Sequence, residues 1–262
     1  MDLYIEFDAQ QLLFRTNIEE ARDYMAETFR HMLVPALVDP VERLELHRTG
    51  SGYTIRSVTS LDYANISLEN LIPLVKDEVR LQFMRKRPDL LWMHAGVIER
   101  HGGALLLAGV SGQGKSTLTT YLCEHGWRFL SDDVAPVRMD ADRVLPFPQA
   151  PVRRLHPGRE VAPDELGTLE RETVDVRPES VCRDEAEIRG IVFIEYAKDA
   201  ETKLIRLDQG SAAMEILRNA TNFFDHRGAA VERAANLVNR VAMYRLPYDA
   251  PRSASRILNE LW

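Results

Sequence analysis

The chain has 262 residues, 45% hydrophobic and 28% charged, enough to bury a sizeable core in one large domain or two small ones. A formal charge of −7 gives no general pull toward nucleic acid or anionic lipid. No apolar run approaches the roughly 20 residues of a spanning helix and the start lacks a signal-peptide layout, so a cytoplasmic protein with neither membrane nor nucleic-acid partners is expected.

Residues 2–7 (DLYIEF) and 11–15 (QLLFR) read as short strands. Asn17 followed by Glu20 has the form of a capping box ahead of Ile18, Ala21, Met25, Phe29 and Leu33 at helical spacing, which predicts about four turns ending before Pro35. Alternation over 41–58 across Thr49-Gly50-Ser51-Gly52 predicts a hairpin. From Leu68, the positions Leu71, Ile72, Val75, Val79 and Phe83 predict a second helix closed by Arg87-Pro88. Residues 1–90 therefore read as a small α+β domain whose apolar stripes are core.

Chemistry concentrates in the next segment. HAGVIE and ALLLAG flank His101-Gly102 and predict an antiparallel hairpin; with Arg100 opposite Gly103, His94 falls opposite Gly109. GVSGQGKS (109–116) satisfies G-x-x-x-x-G-K-[ST] between a strand and a helix. Its backbone N–H groups and the helix start suit phosphate oxygens, so Gly109, Ser111, Gly112, Gln113, Gly114, Lys115, Ser116 and Thr117 are the candidate cradle. In such a loop Lys115 reaches the β and γ phosphates and the Ser116 hydroxyl coordinates Mg2+.

Gly126 ends that helix, and Trp127–Leu130 reads as a strand returning beside the phosphate-loop strand and delivering Asp132 and Asp133. Alternation aims the two carboxylates differently. One carboxylate on a metal and another accepting a proton is what phosphoryl transfer to an alcohol requires, whereas a simple switch needs one acid and a placed water. A capping role for Asp132 in the following turn is the structural alternative.

Between 136 and 187 the chain is rich in Pro, Arg, Asp and Glu and reads as an extended surface segment or lid, with Arg153, Arg154, His156 and Arg159 in PVRRLHPGR as a candidate anion clamp. A buried strand resumes at 188–196, and helices over about 211–223 and 229–243 suit subunit contacts of a homo-oligomer as well as substrate contacts. The two cysteines, Cys123 and Cys182, lack metal or disulfide spacing and read as reduced packed thiols.

Taken together, HAGV (94–97), GVSGQGKS (109–116), HGWRFLSDDVAPV (125–137) and EIRGIVFI (187–194) resemble the HPr kinase/phosphorylase family and its shorter relatives over roughly residues 91–196. The resemblance implies an α/β P-loop core of the type shared with phosphoenolpyruvate carboxykinases over 91–262, using ATP and Mg2+ to phosphorylate a serine on a protein or peptide. It further implies Lys115 on phosphate, His94 in the active site, Asp132 as base, Asp133 and Glu187 with Ser116 at the metal, and Arg189 on phosphate. A kinase of hydroxylated metabolites and a nucleotide-driven switch are the alternative functions.

Overall fold

Among the described residues, apolar strands build two large sheets, each with helices packed on it, and a separate two-stranded pair. The computed structural model describes residues 1–36, 42–50, 52–57, 60–64, 66–110, 112–154 and 171–262. The fold is mixed α/β, and the chain divides into two compact units: Met1–Arg87 with Val152–Thr173, and Pro88–Pro151 with Val174–Trp262.

In the first unit, β1 (Asp2–Phe7), β2 (Gln10–Thr16), β3 (Glu42–Thr49), β4 (Gly52–Arg56) and β5 (Ser60–Ala64) form one sheet in chain order. Only β2 and β3 pair in parallel, and α1 (Glu19–Thr28) lies in the crossover between them. α1 is shorter than the spacing predicts. Its N-cap is Ile18, and the Asn17 Oδ1 accepts from the Arg48 N–H at 3.0 Å instead of capping. Leu33, expected on the helix, pairs with Ile5 because the free edge of β1 claims the chain: Glu6 N donates to Met32 O at 2.8 Å and Val34 N to Tyr4 O at 3.0 Å. The hairpin of β3 and β4 turns as predicted, with Thr49 opposite Gly52 and Gly50 at φ +56°; Val41, Ser51 and Val58 lie outside the described residues. α2 (Leu68–Lys86) starts where the Ser67 Oγ accepts from Asn70 N, and it buries Leu71, Val75, Val79 and Phe83.

The second unit opens with β6 (Leu90–Met93), β7 (Ala95–Arg100) and β8 (Gly103–Ala108), then α3 (Lys115–Glu124), β9 (Arg128–Ser131), β10 (Ala135–Arg138) and β11 (Arg143–Val144). The chain then leaves for β12 (Val152–Arg154) and β13 (Arg171–Thr173), an antiparallel pair grouped with the first unit, and re-enters where Val174 N donates to Pro151 O at 2.7 Å. β14 (Ala186–Tyr196), β15 (Ile205–Arg206), α4 (Gln209–Asn219), α5 (Phe223–His226), α6 (Gly228–Arg240), β16 (Ala242–Tyr248) and α7 (Pro251–Leu261) complete it.

Its sheet runs β6-β10-β11-β14-β8-β7-β9, with β16 also joined to β14 and β15 to β16. β7 and β8 pair with Arg100 opposite Gly103 and Ala95 opposite Ala108, the predicted register. β9 does not lie beside β8. It pairs with β7, since both edges of β8 are already taken by its hairpin partner and by parallel β14. β8 is buried throughout: Leu106 and Ala108 pack on the side of α4 and α6, Leu105 and Leu107 on the side of α3 and α7. Cys123 and Cys182 are free and buried, and burial pushes the Cys123 thiol up to about 12. Among the described residues no helix is long and apolar enough to cross a membrane.

Gly190, at a register shift in β14, leaves room for the Trp262 ring: an added Cβ would stand 2.4 Å from Trp262 and 3.0 Å from Leu105. Gly190→Ala should therefore destabilise the fold by about 1–3 kcal/mol through overpacking. Urea unfolding checks this, and an unchanged midpoint would contradict the packing.

Candidate active site

The loop from β8 to α3 departs from ordinary backbone at its glycines. Gly109, Gly112 and Gly114 have φ of +154°, +92° and +80°, values that L side chains avoid. Space reinforces the choice: a Cβ on Gly109 would stand 2.9 Å from the Ile194 carbonyl oxygen, and one on Gly114 2.3 Å from the Tyr248 Oη. Gly114 is the N-cap of α3 and brings no side chain to the helix start, where Lys115, Ser116 and the exposed Thr117 form the first turn. Ser111 lies outside the described residues.

Lys115 is buried, and its Nζ donates to the carbonyls of Gly109 at 2.7 Å and Val110 at 3.1 Å. Burial lowers its pKa against the opposing pull of Asp133 and Asp132. Ser116 Oγ donates to Asp132 Oδ2 at 2.7 Å, and Thr120 Oγ1 donates to the Ser116 carbonyl at 2.7 Å. The helix comes this near the carboxylate because Gly96 on β7 has no side chain; a Cβ there would lie 2.5 Å from Thr119 Oγ1 and 3.7 Å from Asp132 Oδ1.

The acidic doublet occupies the junction of β9 and β10. β10 pairs with β6 and β9 with β7 in continuing register, so this junction runs opposite His94–Gly96. The Ser131 hydroxyl ties the turn by bridging the carbonyls of Val134 and Phe147. Asp132 is buried, whereas Asp133, at φ +74°, keeps about a third of its side chain exposed. His94 Nδ1 donates to the Asp133 carbonyl oxygen at 2.9 Å and lies 3.4 Å from Asp133 Oδ1, while its backbone N–H donates to Asn219 O at 2.7 Å. The two carboxylates thus face different partners.

Lys115, Ser116, Asp132, Asp133 and His94 are brought together. Glu187 and Arg189 are not. Glu187 pairs with Gly103 and Arg143, and Arg189 lies across Gly103, whereas the loop follows Ala108. Five strand residues, roughly 17 Å, separate that end of β8 from the cradle. EIRG is here a packing element, with Arg189 over one glycine and Gly190 under Trp262. Arg245 pairs with Glu195 at 3.1 Å and Glu215 at 3.6 Å. The backbones of Arg153 and Arg154 belong to β12; their side chains, with His156 and Arg159, lie outside the described residues.

Sequence reading missed Tyr248. Buried at the end of β16, its hydroxyl donates to the Gln113 carbonyl at 2.9 Å, and burial raises its pKa. No motif marks it; the apolar alternation of Leu246 and Tyr248 was its one signal.

These residues fit a phosphorylated ligand with a hard cation: a glycine loop at a helix N-terminus, a buried ammonium, a hydroxyl and two carboxylates. Among the described residues no group of three or more His, Cys, Asp or Glu side chains could hold a metal ion by itself. The chain matches no protein-family model and no curated protein. Among solved structures it is similar to the Hpr(Ser) kinase/phosphatase from Coxiella burnetii, with a TM-score of 0.34 and 12% identity over 65% of this chain and 95% of that chain. The likeness is distant, and the chemistry of the site rests on its own residues.

Tyr248→Phe removes the hydroxyl's bond to the Gln113 carbonyl and should lower stability by about 1 kcal/mol while weakening tripolyphosphate binding several-fold. Calorimetry of both quantities checks this; an unchanged affinity would free the loop from the tyrosine.

Proposed function

We propose that this protein is an ATP- and Mg2+-dependent phosphotransferase that moves the terminal phosphoryl group of the nucleotide to an alcohol, the serine hydroxyl of a protein or peptide. One observation carries the reading: the glycine loop with Lys115, the Ser116–Asp132 pair and the Asp133–His94 pair converge at the same ends of β7, β8 and β9. A hydrolytic switch needs one acidic residue and a placed water; a second, differently oriented carboxylate suits an acceptor that must lose a proton.

The chain's residues divide the work. The loop amides and α3 N-terminus receive the phosphates, and Lys115, released from the Gly109 and Val110 carbonyls, gains an anionic partner that offsets the cost of its burial. Ser116 and Asp132, already in contact, are suited to hold hydrated Mg2+. Bound there, the cation would neutralise charge on the transferring phosphoryl oxygens.

Asp133 is the more accessible carboxylate. We assign it the proton from the acceptor hydroxyl, with His94 orienting it through the backbone carbonyl and adjacent Oδ1. This exchanges the roles anticipated from the sequence, in which Asp132 was the base and Asp133 the metal ligand. Glu187 takes no part, being at the far end of β14.

Incubation with γ-labelled ATP, Mg2+ and serine-containing peptides should label serine; turnover of ATP with no labelled acceptor would sink the transferase reading. Asp133→Asn should retain Mg–ATP binding and lose about 100-fold or more in transfer, while Asp132→Asn should raise the Mg2+ concentration needed for half-maximal rate. Equal transfer by Asp133→Asn and wild type would remove Asp133 as base. Lys115→Met should weaken both binding and transfer, on the order of 100-fold in the latter.

A further inference from the structure

β8 lies between β7 and β14, and the two sides of the loop that follows it differ in character. On the β7 side stand His94, Asp132 and Asp133. On the other side β14 ends at Tyr196 and β16, its parallel neighbour, at Tyr248, in register with each other. Tyr248 is buried under the loop, but Tyr196 is 43% exposed. The Tyr196 Cβ lies 3.9 Å from where a Gly114 side chain would begin, and its ring stands edge-on to Tyr248, with centroids 5.7 Å apart and planes at 67°. An isolated exposed aromatic needs no explanation. This one is oriented by a buried neighbour and adjoins the last glycine of the cradle.

The ground behind it is also organised. Ala197 N donates to Tyr248 O at 3.0 Å, and Asp249 Oδ1 accepts from Thr202 Oγ1 at 3.3 Å and Ser253 Oγ at 3.0 Å, so the segments leaving β14 and β16 are tied together. The nearest charges on these strands, Glu195 and Arg245, are paired with each other. A shelf with an aromatic edge thus flanks the loop on the side away from Asp132 and Asp133, with Asp249 held by its hydroxyl donors and Glu195 paired with Arg245.

A triphosphate is a linear chain. If its terminal phosphorus is delivered to Asp132 and Asp133 and its inner phosphates to the loop amides, its nucleoside must extend the opposite way, over the C-terminal ends of β14 and β16. We propose that Tyr196 is the stacking platform for the base of a purine nucleoside triphosphate. The ring supplies a π face, and the larger area of a purine gives it more overlap than a pyrimidine. The proposal rests on the phosphotransferase reading and adds to it the residue that recognises the nucleoside.

Calorimetric titration of wild type, Tyr196→Ala and Tyr196→Phe with Mg–ATP and with Mg–tripolyphosphate separates the two parts of the ligand. Tyr196→Ala should bind ATP about tenfold more weakly, the loss expected when a base has no ring to stack on, with tripolyphosphate affinity unchanged and Tyr196→Phe close to wild type for both. Equal weakening of ATP and tripolyphosphate would mean that the ring only supports the loop, and no change in either would place the base elsewhere; both outcomes overturn the stacking role while leaving the phosphate site intact. If the wild type binds neither ligand, the base site falls together with the phosphate site on which it rests.

Discussion

An anion-binding loop made of backbone N–H groups works only if its amides are turned inward, and side chains of ordinary handedness resist that turn by roughly 1–2 kcal/mol per residue. Gly109, Gly112 and Gly114 remove the resistance, while the Ile194 carbonyl and the Tyr248 hydroxyl occupy the space that side chains would have taken. From this follows the start of α3, and from the start of α3 the burial of Lys115 and the reach of Ser116 to Asp132. The chemistry assigned to the site depends on that one loop conformation.

Local features were legible in the residues, and long-range ones were not. The β7–β8 register could be counted from His101-Gly102, and α2 could be read from Leu71, Val75, Val79 and Phe83, because turns and periodicities are decided within a few residues. The neighbour of β9 could not. Which strand takes an edge depends on what else competes for it, and β14, arriving some eighty residues after β8, claims the edge that a simple crossover would have filled. The same competition explains α1, whose expected last turn was lost to the open edge of β1.

The site was legible to the same extent. Lys115, Ser116 and the two aspartates lie within one strand–loop–helix–strand span, so proximity in sequence carries over into space. Their individual duties do not carry over. Alternation separates Asp132 from Asp133 without saying which is buried against Ser116 and which stays open beside His94, and Asp133 at φ +74° is not in extended strand conformation at all. EIRG illustrates the converse: charged residues beside a glycine look chemical in a string of letters, yet Gly190 and Gly103 are small because Trp262 and Arg189 lie on them. Tyr248 escaped notice for the opposite reason, since a buried tyrosine in an apolar strand looks like core until its hydroxyl is seen to grip a loop.

The hydrogen bond from Val174 N to Pro151 O has an architectural consequence. It brings the exit and return of the intervening polypeptide to one point, like the stem of a graft. β12 and β13, just beyond that stem, belong to the other unit, and the strand connections around the phosphate loop close without them. The excursion that interrupts the second unit is therefore closed at its base and leaves the connectivity around the loop whole.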